Sequence, residues 1–195
     1  MRHPVCHIET EAEYFHRVDT ELIDDMRQRA AFDERRQRMT EACQTEDPRI
    51  LTALEQLGYD QNNIRLLYIV PLVHVAWIDG SVSEAERSRI IVLATLHGVR
   101  ENAPAYQQLM GWLDRRPSDE FFQATLRAIQ TILQSMPETQ RQGRTDFLIR
   151  CCREVAFASC GLFGWKSKIC LAKRALIREM TRTFEPAGRA AAAGA

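Results

Sequence analysis

The chain lacks most of the features from which a function is ordinarily read. Its nine glycines never cluster as G-x-G-x-x-G or G-x-x-x-x-G-K, so the backbone cradles that hold phosphates are missing. No Ser-His-Asp or Cys-His pattern offers an activated nucleophile, and the chain is not expected to be an enzyme. The six cysteines contain no C-x-x-C pair and have no histidine at finger spacing, which removes the local signature of a structural zinc site. Net charge is absent too. Lys plus Arg and Asp plus Glu both number 26, which leaves no global electrostatic case for nucleic acid or an anionic membrane as partner.

Long apolar runs are also missing. The longest, Leu66 to Ile78, is interrupted by Pro71 and His74 and falls short of the roughly 20 residues that cross a bilayer. No charged opening followed by an apolar stretch marks a signal peptide. These absences predict a cytoplasmic protein without a transmembrane segment, its cysteines reduced and, like Cys152 and Cys160, used for packing.

Strand-like alternation is the last absence. Apolar residues recur at three and four positions rather than two, so the class is all-α, and a chain of this length with 45% apolar content buries one good core. The pattern predicts a compact bundle of seven or eight helices. Residues 1–45 form a long charged helical extension, 46–185 the main helical domain, and 186–195 a disordered Ala/Gly tail. In the extension, Phe15, Val18, Leu22, Met26 and Ala30 make one stripe before the helix turns polar on every side at Asp33. Asp47-Pro48 starts a short helix that stops at Gly58. The next helix, about residues 61–78, is apolar nearly all round, as a central helix should be, with a kink at Pro71. Leu66, Leu67, Ile69, Val70, Val73, Ala76 and Trp77 are its expected buried residues. Further helices are expected from Ser83 to His97-Gly98, over about 103–113, 119–134 and 137–159, and from about Ile169 to Phe184, with a loop at Gly161-Leu162-Phe163-Gly164.

Charge is unevenly distributed. Residues 9–47 hold twelve acids and six bases, and residues 141–195 hold eleven bases and four acids. Another protein, engaged through the charged N-terminal helix or the basic C-terminal helices, is the partner this asymmetry suggests.

The most specific stretch is Ala76-Trp77-Ile78-Asp79-Gly80-Ser81-Val82-Ser83-Glu84-Ala85-Glu86. Gly80 suits a tight turn, Val82 can point to the core, and Ser83 with Glu86 forms a capping box at the next helix start. Asp79, Gly80, Val82 and Glu86 fall at the fifth, sixth, eighth and twelfth positions of a calcium loop. However, the first and third positions, Val75 and Trp77, bring no oxygen, so an EF-hand is excluded. Asp79 and Glu86 remain candidate ligands for a weakly bound divalent cation, magnesium or calcium, if carbonyls and water complete the shell. His74, five residues before Asp79, is turned away from it and is expected to be a buried, hydrogen-bonded histidine.

The core helix, this corner and the helix after it resemble the tellurite-resistance TerB family. The similarity covers roughly residues 60–180 and is strongest over 66–98. The resemblance implies a non-enzymatic bundle of two pseudo-repeats, with acidic helix corners that bind metal, and a role in metal or oxidant stress. The second pseudo-repeat aligns Val75 to Asp79 with Val155 to Ser159, and Val82 to Glu86 with Ile169 to Lys173. Ser159 thus stands opposite Asp79, and Lys173 opposite Glu86. The lysine would repel an ion and the hydroxyl brings no charge, so any cation is expected at the first corner. The alternative is a scaffold or oligomerisation protein with no metal site.

Overall fold

The computed structural model describes residues 11–43, 45–160 and 168–185; the expected glycine loop and the Ala/Gly tail lie outside them. The described residues form eight α-helices and no strand: α1 (Glu11–Cys43), α2 (Pro48–Gln56), α3 (Val70–Ala76), α4 (Glu84–Leu96), α5 (Pro104–Asp114), α6 (Asp119–Ser135), α7 (Glu138–Cys160) and α8 (Lys168–Phe184). None of them is long and apolar enough to cross a membrane. The chain divides into two units, residues 1–38 and 39–195.

In the first unit, every described side chain from His16 to Arg35 is exposed, including Val18, Leu22, Ile23, Met26 and Phe32. Ion pairs at helical spacing, Arg29 with Asp25 at 2.7 Å and Arg38 with Glu34, support the helix by a few tenths of a kcal/mol each. The second unit begins inside α1, at Met39. Met39 and Cys43, one turn apart, are both buried.

Helix entries follow local chemistry. The Asp47 carboxylate accepts from the Arg49 amide at 2.9 Å ahead of Pro48, and the Ser118 hydroxyl accepts from the Phe121 amide at 3.2 Å to start α6. Gly98, with φ +83°, takes the left-handed conformation that closes α4. The ring of His97 before it meets Phe147 edge-on, 5.4 Å between centroids, and burial lowers its pKa.

The central segment departs from the single kinked helix predicted for it. Residues Ile64–Leu66 form a 3-10 turn, Val70–Ala76 an α-helix, and Trp77–Asp79 another 3-10 turn. Pro71 lies in the first turn of α3, where its missing N–H costs nothing because no intrahelical acceptor awaits it; the proline starts a helix here instead of bending one. Burial is as expected for Leu66, Leu67, Ile69, Val70, Val73 and Ala76. Trp77 is only half-buried, its indole N–H donating to the Trp112 carbonyl at 2.8 Å. Helix α3 packs against α4, α6, α7 and α8, and α7 against α8 and α4, so the corner that follows α3 is set where these helices meet.

Cys43, Cys151 and Cys152 are free and buried. Cys170 is disulfide-bonded, which corrects the expectation that all thiols are reduced.

Candidate functional site: an acidic corner with its own cation

The corner between α3 and α4 is built as its sequence dictates. Gly80 adopts φ +89°, a conformation an L side chain resists, and reverses the chain after Asp79. Val82 packs on the core. The capping box is complete: the Glu86 amide donates to the Ser83 hydroxyl at 3.4 Å, and the Ser83 amide donates to Glu86 Oε2 at 3.0 Å. The Ser83 hydroxyl also donates to Glu86 Oε2, at 2.7 Å. Asp79 Oδ1 accepts from the Ser81 amide at 3.4 Å.

Glu86 is fully buried, so its second oxygen needs a partner of its own; an ionised carboxylate is far too costly to bury otherwise. That partner comes from α8. Lys173, with no exposed surface, places Nζ 2.6 Å from Glu86 Oε1, 3.0 Å from Asp79 Oδ2 and 2.9 Å from the Ser159 hydroxyl oxygen. Ser159, on α7, donates its own proton to the Ala156 carbonyl at 3.2 Å. An ammonium has three donors and no acceptor; here it donates to Glu86 and Ser159 and pairs by charge with Asp79. The four positions aligned between the two corners therefore meet at one atom.

This arrangement bears directly on Asp79 and Glu86 as metal ligands. The two carboxylates converge, as a shared cation requires, but on the ammonium of Lys173. A divalent ion held at ordinary oxygen distances by both would lie within about 4–5 Å of Nζ. Repulsion between +2 and +1 charges there is about 7–8 kcal/mol at an effective dielectric constant near 20, against about 4–5 kcal/mol of binding free energy for a millimolar to sub-millimolar site. Among the described residues, no group of three or more His, Cys, Asp or Glu side chains could hold a metal.

Sequence reasoning placed Lys173 at a second corner that would repel a metal, and missed that it enters the first. A signal was present: Lys173 shares a helical stripe with Ile177, Met180 and Phe184, all buried. A lysine on an apolar stripe requires an internal acid.

His74 is not part of this cluster. Its ring stacks on Phe122 at 4.3 Å and 9°, and Nδ1 is buried with no hydrogen-bond partner among the described residues, unlike the satisfied histidine expected. Burial, helped by the nearby Arg116 guanidinium and opposed by Asp119, lowers its pKa to about 4.

No family model, curated protein or solved structure matches the chain.

Proposed function

We propose that this chain is a non-enzymatic helical module of TerB-like type that acts by binding, and that its acidic corner is a structural lock whose cation is Lys173. The observation that carries this reading is the buried ammonium, 2.6 Å from Glu86 and 3.0 Å from Asp79. It supports the scaffold alternative over a resident metal, because the charge a metal would supply is already in place. The convergence of Asp79, Glu86, Ser159 and Lys173 supports the pairing of two related corners.

Titration calorimetry of calcium, magnesium, manganese and zinc into the full chain tests the lock. The native protein should show no saturable binding below about 1 mM, the weak end of biological calcium sites. Lys173→Ala, which removes the ammonium and leaves space, should create a site that Asp79→Asn abolishes. Saturable binding by the native chain that disappears in Asp79→Asn would overturn the reading.

The partner is another protein, met through α1. What supports this is the exposed Val18, Leu22, Ile23 and Met26, flanked by Asp19, Asp24 and Asp25 on a helix whose described side chains bury nothing up to Arg35. A photo-crosslinker at Met26, in cells making the full chain, should yield one discrete adduct that Leu22→Asp abolishes; an unchanged adduct in that variant would refute this docking.

A further inference from the structure

Helix α1 carries an apolar stripe that reads the same from either end. Val18, Leu22, Met26 and Ala30 recur every four residues about Asp24 as midpoint, a spacing that stacks them along one side of the helix. All four are exposed, Leu22 and Met26 at 57% and 62% of their surface.

Charge along the same helix is polarised. Residues 11–25 hold six acids and one base, while residues 26–38 hold five bases and two acids. The two halves meet at their boundary, where Arg27 pairs with Asp24 at 3.3 Å and Arg29 with Asp25 at 2.7 Å. These pairs are exposed and contribute little to stability. Two such helices laid parallel set acid against acid and base against base. Laid antiparallel, they set the acidic half of each against the basic half of the other, the arrangement that electrostatic complementarity selects. Reversal about Asp24 also brings Val18 to Ala30, Leu22 to Met26 and Asp19 to Arg29. Each of these contacts then occurs twice, as the two-fold axis of a self-complementary interface requires. A foreign partner would call for no such symmetry in the helix.

We infer that α1 docks a second copy of this chain, antiparallel, through Val18, Leu22, Met26 and Ala30. The inference rests on α1 being the docking face proposed above, and it names the protein that occupies that face. One side of a helix over three to four turns is a small interface, below the roughly 1,200 Å² of standard complexes, so the dimer is weak and depends on concentration.

Sedimentation equilibrium of the full chain from about 1 to about 300 µM, the range in which small interfaces associate, should show monomer passing to dimer. Leu22→Asp should weaken the dimer by about tenfold or more, because it places a charge in the apolar contact of both copies. Asp19→Arg and Arg29→Asp should each weaken it by about threefold or more, with the helical circular dichroism held. An equimolar mixture of these two variants should dimerise as the wild type does, since only the mixed pair puts an acid opposite each arginine. Neither chain regains a pair of its own in that mixture, so repair within one helix does not produce the recovery. A photo-crosslinker at Val18 of the purified chain should attach to the tryptic segment 30–35 of the second copy; attachment to segment 18–27 would mean parallel helices and overturn the arrangement. Monomer throughout the range, a dimer indifferent to Leu22→Asp, or a mixture no tighter than either variant would each overturn the second copy. If the purified chain stays monomeric while Met26 captures one discrete adduct in cells, the second copy is overturned and α1 remains a docking face for a different protein; no adduct in either setting overturns both.

Discussion

Lys173 Nζ lies 2.6 Å from Glu86 Oε1, across 87 residues of chain, with both side chains closed to solvent. Removing one member of such a pair leaves the other charged and buried, which costs about 3–5 kcal/mol. Lys173→Met should therefore destabilise the second unit by about that amount. The double variant Lys173→Met with Glu86→Gln should recover much of the loss, since well-packed neutral groups can replace a buried ion pair. Denaturant melts of the two variants check this; equal loss in both would mean that the pairing contributes little.

Ser83 serves both the helix start and the lysine's anchor. Ser83→Ala should cost about 1–2 kcal/mol, the upper part of the range for losing an N-cap, because the Glu86 carboxylate also loses the 2.7 Å hydroxyl bond. Asn at the same position can still cap the helix and should lose less. Thermal midpoints of the two variants, compared with wild type, decide it.

His74 predicts a pH dependence. Its pKa falls from an ordinary 6.5 to about 4 on folding, so the unfolded chain binds the proton more readily. The contribution to stability is fully present above pH 6.5, falls as the pH drops from 6.5 to about 4, and is lost below that. Solvent reaches part of the ring, which holds the effect to about 1–2 kcal/mol. His74→Leu should flatten urea-melt stability across this window; an unchanged slope would place the titrating group elsewhere.

The division of the chain inside α1 predicts two different truncations. Deleting residues 1–38 takes away the exposed stretch from His16 to Arg35 and leaves Met39 and Cys43 in place. Deleting residues 1–44 also removes Met39 and Cys43 from the core, at a cost of about 2–5 kcal/mol for the methionine alone. Equal midpoints for the two truncations would contradict the boundary.

Burial raises the pKa of Cys43 to about 12 and raises that of Cys152 further. At pH 8 neither has thiolate to offer. Iodoacetamide should modify them only after unfolding, as intact-mass measurements of native and denatured protein would show; native labelling of Cys152 would mean that α7 opens locally.

What was legible in the sequence was local. The capping box of Ser83 and Glu86, the turn at Gly80 and the left-handed Gly98 follow from residues within four positions of one another, so spacing alone specifies them. Pro71 was misread because periodicity does not distinguish one kinked helix from a 3-10 turn followed by a new helix; only where the backbone amides find acceptors separates the two. The ion lock depends on α3, α7 and α8 meeting at one point. Aligning the two corners named all four residues but not that they face each other, because an alignment compares positions without placing them in space.

One consequence of Lys173 concerns supply. A corner closed by a free ion is only as firm as the surrounding pool of that ion, and chelators or a competing metal can loosen it by mass action. An ammonium carried on the chain has no pool. Its occupancy follows from folding itself, at an effective concentration fixed by the helices that deliver it. The stability of this corner is thus disconnected from the ionic state of its surroundings, and chelator treatment should leave the melting curve where it was.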